Sequence, residues 1–514
     1  MKPLVGLLGV IVAAISAEFN DQVASIAIAD ISGGLGLSHD PGTWFGSLYI
    51  SAEVFGMAMA PWLLVTFTLR HFTLFAILLN AVSSILLPFC SDEPALYALR
   101  IAQGLSGGLT IPLLMTTALR VLDPPIRLYG LAVYSVTATF TPAIATTVAA
   151  LWTDLVGWQF VFLQSVPLCA VASVMVWYGV PQDEPHYDRF RRFDWRGALL
   201  VLVGLGSFTT MLQQGDRLDW FNSPSICVLA LISVIAIPLF LTNEWFHQLP
   251  LIKLQLLARR NMAYGLIALF TFLLVGQSSS VLPNLFLQQV QGFRPEQLYP
   301  LTLAIALAQL LMLPALAWLL DHQAVDARVV SFIGLALILA ACLGASFITG
   351  DWFVQSLWIW QALQAVGQPM VVMPLLLFST NSVRGPEEAP FASALVNTPR
   401  AISEAVGVWL LQLIQRWRGG LHYNRIADQV GQERFNLIQA PAIEPRFLPP
   451  LLPDGQPRAP HALAAFADSV QQQAMILTIS DAFLIFAALT AALMLVVLVL
   501  PERTLPPRLQ FAKK

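Results

Sequence analysis

The sequence predicts an all-α integral membrane protein with 14 transmembrane helices. Hydrophobic residues make up 57% of the 514 positions and charged residues only 11%, whereas a soluble domain typically carries about 25% charged residues. The mean hydropathy is +0.70. Apolar runs recur from residue 4 to residue 500 with short polar breaks, and about 20 apolar residues suffice to cross a bilayer. The nearly balanced charge indicates no nucleic-acid partner.

Each predicted span is an apolar run bounded by proline, glycine or a charged residue. We place the spans near 4–30, 43–67, 73–91, 95–120, 129–151, 159–180, 197–215, 224–243, 262–286, 299–320, 328–349, 355–380, 390–415 and 475–500. Two segments interrupt this rhythm. A charged connector at 181–197 separates six spans from eight, and a long loop at 417–474 is rich in proline, glutamine and arginine. Residues 460–475 of that loop are expected to extend the last span as an amphipathic helix.

The distribution of positive charge predicts the orientation of the chain. An even number of spans places both termini on one side of the membrane. Seventeen lysines and arginines fall in the termini and short loops of that side, and only Arg217 and Arg294 fall in the opposite short loops. Positive charge accumulates on the cytoplasmic side. The sequence therefore predicts a multi-pass membrane protein with both termini cytoplasmic.

The first span carries carboxylates that need an explanation. Glu18 and Asp21 are three residues apart and share one helix face near the middle of the span, whereas Asp30 falls at its outer end. An ionised acid at the centre of a span costs about 2.5–3.5 kcal/mol on insertion scales. We interpret Glu18 and Asp21, with Glu53 of the second span, as candidates for proton coupling. The alternative is structural: one acid ties the first span to Arg100, or stays protonated in a helix–helix hydrogen bond.

Further polar residues interrupt the fourth and thirteenth spans. Arg100 is either a gating or proton-responsive cation or a member of a structural ion pair. The small residues that follow it predict close helix packing; this gating and packing motif comprises Gln103, Gly104, Gly107, Gly108 and Pro112. Arg400 and Glu404, one turn apart in the thirteenth span, are expected mainly to neutralise each other.

The ninth span places polar side chains at the middle of the membrane. The stretch GQSSSVLPNLF at 276–286 contains Gln277, Ser278, Pro283 and Asn284. Proline and serine allow a helix to bend where it lines a cavity. Hydrogen bonding between packed helices is the competing interpretation. As substrate-cavity candidates we take Asn20, Gln277, Ser278, Asn284, Arg400 and Glu404.

The pattern R-x-x-Q-G-x-x-G-G-x-x-x-P-L at 100–113 resembles the fourth-span motif of a known family. That family is the 14-span drug:proton antiporters of the major facilitator superfamily, the EmrB/QacA type. The stretches at 24–38, 42–53, 152–167 and 392–408 resemble its first, second, fifth-to-sixth and thirteenth-span motifs in the same order. The sequence is identified as a member on this resemblance, which covers nearly the whole chain.

The resemblance implies two six-helix bundles with two helices inserted between them. The expected domains are 1–182, 183–258 for the connector and inserted helices, and 259–514 with the loop 417–474 as a periplasmic segment. The chain departs from the family at the fifth-span motif, where Pro142 is kept but Ala145 and Thr146 occupy a glycine and a proline position. Asn20, not Asp21, occupies the position of the family's first-span aspartate.

The function that the resemblance implies is proton-coupled efflux of drugs or other amphipathic small molecules across the inner membrane of a bacterial cell by alternating access. The expected partners are the substrate, protons and membrane lipid, with a periplasmic adaptor protein and an outer-membrane channel as further candidates. We expect no enzyme activity, no cofactor and no metal, since the histidines lack metal-ligand spacing. Two alternatives stay open: an exporter dedicated to one metabolite or siderophore, and a transporter-like sensor that no longer transports.

Overall fold

The computed structural model describes residues 2–122, 127–182, 184–322, 324–385, 387–432 and 462–504, and within these ranges the regular structure is helical. The α-helices are α1 (Lys2–Ile26), α2 (Ile28–Leu35), α3 (His39–Phe67), α4 (Leu69–Leu86), α5 (Glu93–Val121), α6 (Arg127–Ala150), α7 (Phe160–Leu163), α8 (Ser165–Gly179), α9 (Trp195–Gln214), α10 (Pro224–Phe246), α11 (Arg260–Ser280), α12 (Leu282–Gln289), α13 (Pro295–Leu320), α14 (Ala327–Ala345), α15 (Val354–Asn381), α16 (Ala389–Ile414), α17 (Gly420–Gln432) and α18 (Ala462–Val499).

Fourteen long helical segments account for the predicted spans. Twelve of them, counted over the described ranges, are long and apolar enough to cross a membrane. The other two, α5 and α16, contain 29 and 26 residues and hold the polar stretches around Arg100 and Arg400. The predicted fold class is therefore confirmed. Three spans are broken: α1 from α2 at Ala27, α7 from α8 at Gln164, and α11 from α12 at Val281.

The helices pack as two six-helix bundles related by an internal two-fold repeat. In the first bundle, α1 packs on α8, and α5 packs on α3 and on α4. The same three pairings recur in the second bundle, where α11 packs on α18, and α15 packs on α13 and on α14. Such repeats are common in transporters. The weak sequence similarity between residues 103–112 and 364–374 falls on the equivalent helices α5 and α15.

The two bundles meet along α6–α13 and α3–α16, which are also equivalent pairs under the repeat. The inserted helix α9 packs against both α3 and α16, so it bridges the two bundles at one side. Its partner α10 packs mainly on α9 and is largely exposed along its length. Helix α9 therefore forms one wall of the space between the bundles, and α10 covers the outer side of α9.

The chain's two described ends lie on one face of the bundle, which we call the terminal face. Glu502, just after α18, accepts a hydrogen bond from Arg260 at the start of α11 (3.5 Å). Lys2, at the start of α1, lies over the ring of Tyr178 at the end of α8. The other end of the bundle is the opposite face.

The long loop begins and ends on the opposite face. Residues 415–419 form a π-helical turn that leads into α17, and α18 extends without interruption from Ala462 through the last span. The predicted helical extension of that span is thus present. Asp481 of α18 binds Arg418 (2.7 Å) and lies 2.5 Å from Nε2 of His422. Positions 433–461 of the predicted loop 417–474 lie outside the described residues.

An ion-pair cluster joins α11 to the start of α16 at the terminal face. Glu388 accepts two hydrogen bonds from Arg259, at 2.8 and 3.1 Å, and Lys253 lies 3.8 Å away. The hydrogen bonds from Arg259 hold the pKa of Glu388 below its ordinary value. A carboxyl group whose pKa is lowered in the folded state stabilises the fold above its unfolded-state pKa, and this contribution disappears as the pH falls through the folded-state value.

Glu388→Gln should therefore lower the free energy of unfolding at neutral pH, and the difference from the native chain should shrink as the pH is lowered below about 4. Unfolding in detergent at several pH values measures this. Glu387→Gln is the matched control, because Glu387 is exposed and has no ion pair among the described residues. A deficit that is the same at every pH would contradict the assignment.

Candidate functional site

The candidate site begins with a buried ion pair between the two bundles. Glu18 of α1 and Arg400 of α16 are 4% and 1% exposed, and the guanidinium donates from Nη2 to Oε1 of Glu18. Arg400 also donates to the hydroxyl of Thr137 on α6 (3.2 Å) and to its carbonyl oxygen (3.3 Å). A single side chain of the second bundle therefore binds two helices of the first.

This pairing corrects two expectations. Glu18 does not tie α1 to Arg100; its partner is Arg400, which is 382 positions away in the chain. The predicted mutual neutralisation of Arg400 and Glu404 is only secondary. The Nε atom of Arg400 lies 3.7 Å from Glu404, too far for a hydrogen bond, and has no other hydrogen-bond partner in the described part of the chain.

A second set of hydrogen bonds lies between this pair and the terminal face. The Tyr134 hydroxyl of α6 donates to Oδ1 of Asn397 on α16 (2.5 Å), and Asn397 donates to the carbonyl of Ser393 (2.7 Å). The Ser393 hydroxyl donates in turn to the carbonyl of Pro112 on α5 (2.6 Å). All four residues are buried. The bundles are thus closed against each other between the ion pair and the terminal face.

Arg100 of α5 is held without an ion pair. It donates to the carbonyl of Asn20 (2.7 Å), to Oε1 of Gln103 (3.0 Å) and to the carbonyl of Phe45 (3.3 Å). Its guanidinium also lies 4.3 Å from the ring centre of Tyr49. No carboxylate of the described residues lies within 4.0 Å of it, so the purely structural ion pair is not the arrangement found.

A central cavity lies beside these groups and extends towards the opposite face. Its volume is about 490 Å³. Its walls come from α1, α2, α3, α5, α9, α11 and α16, and its polar lining includes Asp21, Gln22, Arg100, Gln277 and Glu404. A smaller cavity between α6, α11, α13 and α15 shares Gln22, Gln277 and Glu404 with it and also includes Pro142 in its lining. Charged, amide and apolar groups therefore line two adjoining cavities in the region between the bundles.

Acids outnumber bases around this region. Glu18, Asp21, Glu53 and Glu404 face two guanidinium groups, those of Arg100 and Arg400. Glu53 is 3% exposed, and its Oε2 has no hydrogen-bond partner among the described residues. Buried carboxylates without cations either bind protons or require a cation from outside. The arrangement can therefore exchange protons or cationic groups with the cavity.

Asn20 was a predicted cavity residue, but in the structure it lies in a contact between helices. It donates to Oδ1 of Asn80 (2.6 Å) and to the hydroxyl of Ser84 (3.2 Å) on α4, and it accepts from the Ser165 hydroxyl (2.7 Å) on α8. With 1% exposure it joins α1, α4 and α8. Asp21, one position on, faces the cavity, because successive residues of a helix are about 100° apart.

The ninth-span candidates divide between the two interpretations. Gln277 lines both cavities. Ser278 is fully buried and accepts a hydrogen bond from Gln364 of α15 (2.8 Å), and Asn284 donates to the hydroxyl of Thr146 on α6 (2.9 Å). Ser278 and Asn284 therefore contact neighbouring helices in this structure and belong to neither cavity lining. Arg400 lies behind the cavity wall, whereas Glu404 lines it.

The glycines of α5 allow α3 to pack against the site. A Cβ atom on Gly104 would lie 2.2 Å from the carbonyl oxygen of Tyr49, and one on Gly108 would lie 2.1 Å from that of Glu53. One on Gly107 would lie 2.7 Å from the Tyr49 hydroxyl. Gln103 donates to Ser84 (2.9 Å). The close contact of α5 with α3 thus fixes the positions of Arg100, which belongs to α5, and Glu53, which belongs to α3.

Sequence reasoning missed several residues of the site. Tyr134, Thr137 and Asn397 bind the ion pair or extend its network, and Gln22 lines both cavities. Their only signal in the sequence is a polar side chain inside an apolar span, and many such residues bond to their own helix instead. Thr73 of α4, for example, donates to the carbonyl of Leu69 (2.6 Å).

Comparisons with known proteins agree with this architecture. The family model described as Major Facilitator Superfamily matches residues 10–408. The chain is 26% identical over 415 residues to the multidrug export protein EmrB of Escherichia coli K12, covering 80% of each chain. It is 23% identical over 416 residues to the colistin resistance protein EmrB of Acinetobacter baumannii, covering 79% of this chain and 78% of that one. In fold, it is similar to the proton:xylose symporter XylE, with a TM-score of 0.58 at 11% identity over 99% of this chain and 98% of that one.

Proposed function

The chain belongs to the major facilitator superfamily, and from this premise we propose that it is a proton-coupled efflux transporter. It exports drugs or other amphipathic small molecules across the inner membrane by alternating access of its two bundles. The relatives that are named for multidrug export and colistin resistance support the substrate class. The cavity supports it too, since Asp21 and Glu404 lie in one lining with apolar residues such as Ile28 and Val408.

The observation that carries the proposal is the Glu18–Arg400 pair. It joins the two bundles between the cavity and the closed terminal side, with Asp21 and Glu404 in the adjoining cavity lining. A proton that reaches Glu18 through the cavity weakens its bond to Arg400. The network from Tyr134 to Pro112 then opens towards the terminal face. Release of the proton on that side restores the pair, so substrate export is coupled to proton entry.

The proposal includes the orientation and the partners. Both termini are cytoplasmic, as the positive charge of the short loops favours, so the cavity opens towards the periplasm in this state. The expected domain limits are 1–182, 183–258 and 259–514. By the family resemblance, the loop 417–474 docks a periplasmic adaptor that leads to an outer-membrane channel. Members of this superfamily are transporters, and the chain is proposed to catalyse no reaction.

Neutralising the cavity acids should uncouple export. Asp21→Asn and Glu18→Gln are expected to remove most substrate-driven proton movement per folded molecule while folded protein is still produced, because an amide keeps the shape of the carboxyl group but cannot carry the proton. Reconstituted vesicles with an internal pH-sensitive dye measure this. Asp30→Asn is the matched control, since Asp30 is an acid of the first span like Glu18 and Asp21 but its side chain is exposed.

Full-rate export against a gradient by the doubly neutralised protein would place coupling elsewhere, and Glu53→Gln is then the next variant to measure. Absence of proton movement with every compound of a broad panel would favour the sensor interpretation, which the altered fifth-span motif at Ala145 and Thr146 motivates. Protection against a single metabolite or siderophore, and no other compound, would favour the dedicated exporter.

A further inference from the structure

A pocket at the terminal face lies apart from the transport cavity. It is formed by the connector before α9 and by the loop after α10, and its volume is about 470 Å³. Its polar lining consists of Arg191, Arg192, His247 and Gln248, and Phe193 and Phe246 contribute rings. No residue of the proposed transport site takes part in it.

Aromatic contacts fix the connector in place. The ring of Phe193 lies 4.3 Å from that of Trp62 on α3, and the ring of Phe190 lies 5.1 Å from the same indole. The amide of His186 also donates to the carbonyl of Thr66 (3.0 Å). Arg191 and Arg192 therefore extend from a backbone that is anchored on both sides, and they are not part of a free surface loop.

The pocket presents hydrogen-bond donors without a carboxylate. Neither Arg191 nor Arg192 forms an ion pair with any described residue, and no described acid lines the pocket. Nδ1 of His247 accepts from the amide of Leu249 (3.1 Å), so the neutral ring carries its proton on Nε2. Oδ2 of the neighbouring Asp194 lies 3.9 Å from Nδ1 of His247, on the side of the ring away from Nε2, and its carboxylate accepts hydrogen bonds from Gly197 (2.8 Å) and Asn243 (2.5 Å). The two guanidinium groups, the Nε2–H of His247 and the Gln248 amide can therefore donate hydrogen bonds to an anion in the pocket.

Exposed aromatic residues place the pocket at the membrane surface. Phe246 is 82% exposed, Trp195 72% and Trp245 52%. All three lie at the terminal-face ends of α9 and α10, the helices that line the outer side of the bundle. Tryptophans at such positions mark the interface between hydrocarbon and headgroups. Leu239, two turns from Phe246 on α10, is exposed as well and continues an apolar surface away from the pocket.

We propose that this pocket binds the headgroup of an anionic phospholipid from the leaflet at the terminal face. Arg191 and Arg192 hold the phosphate, with the His247 ring and the Gln248 amide as further donors. The acyl chains lie along the exposed side of α10. Basic pockets between helices at this depth suit such headgroups. The bound lipid ties the connector and the inserted pair α9–α10 to the bilayer.

Lipid binding to the purified full-length protein tests the proposal. Native mass spectrometry of delipidated protein, titrated with phosphatidylglycerol, counts the lipids that are retained. Arg191→Gln with Arg192→Gln should weaken the tightest site by roughly thirty-fold, whereas lysine at both positions should keep most of the binding. Arg196→Gln is the matched control, because Arg196 is exposed in the same segment but does not line the pocket.

The controls separate this site from general attraction to positive charge. Native protein should retain phosphatidylglycerol in preference to phosphatidylcholine, and millimolar inorganic phosphate should not displace it. An equal loss in the Arg196→Gln variant would show that the arginines act only as positive charge at the membrane surface, and would overturn the proposal. Displacement by inorganic phosphate would show a solvent-facing anion site and would overturn it too. A monodisperse elution profile of each variant excludes misfolding.

Discussion

Arg400→Met should abolish export and lower the free energy of unfolding by about 3–5 kcal/mol. The substitution removes the partner of Glu18, whose carboxyl group is 4% exposed, and leaves a buried acid without a cation. It also removes the two hydrogen bonds to Thr137 that join α16 to α6. Denaturant unfolding in detergent measures the stability, and uptake into inverted vesicles measures transport.

A double-substitution cycle measures the interaction energy between Glu18 and Arg400 separately from their contacts with other residues. Glu18→Gln with Arg400→Met should recover a large part of the lost stability, since replacing both members of a buried pair costs less than removing one. Export should stay absent in the double variant, because no group that binds a proton links α1 to α16. Additive losses of stability in the two single variants would contradict a direct interaction between Glu18 and Arg400.

Gly108→Ala should lower the free energy of unfolding by roughly 1–3 kcal/mol and reduce the amount of folded protein. The added Cβ atom would lie 2.1 Å from the carbonyl oxygen of Glu53, so α3 and α5 must separate. That separation displaces Glu53, and export should fall further than the loss of folded protein accounts for. Thermal unfolding and export per folded molecule measure the two effects.

Gly206→Ala is the matched control for this substitution. Gly206 is also a helical glycine, but a Cβ atom there would meet nothing within 4 Å. Alanine at this position should be neutral or slightly stabilising, since glycine costs about 0.5–1 kcal/mol in a helix interior relative to alanine. Equal destabilisation by the two substitutions would show that the close contact of α3 with α5 is not what Gly108 provides.

Local sequence patterns were sufficient to predict the membrane spans and the close packing of α5. Fourteen apolar runs became 14 long helical segments, and the three glycines after Gln103 mark the tight contact of α5 with α3. Both inferences depend on properties of neighbouring residues, such as hydropathy over about 20 positions and helical spacing. The acidic face of α1 was also predicted from spacing, because Glu18 and Asp21 are less than one turn apart.

Contacts between different helices were not predicted from the sequence. Arg400 has an acid one turn away at Glu404, so the sequence favoured a local pair. Asn20 occupies the family's acidic position and was expected to line the cavity, yet it faces Asn80 and Ser165. In both cases, the side chain binds residues of other spans, and the spacing of residues within one span carries no information about them.

By itself, the sequence determined the membrane class, the number of helices, the close contact of α5 and the presence of acids inside the first span. These follow from the transfer of side chains between water and hydrocarbon and from the geometry of a single helix. Only the tertiary structure decided that Glu18 binds Arg400 and that Asp21 and Glu404 line the cavity. Those residues come from helices at opposite ends of the chain, and their distances depend on how two bundles pack against each other.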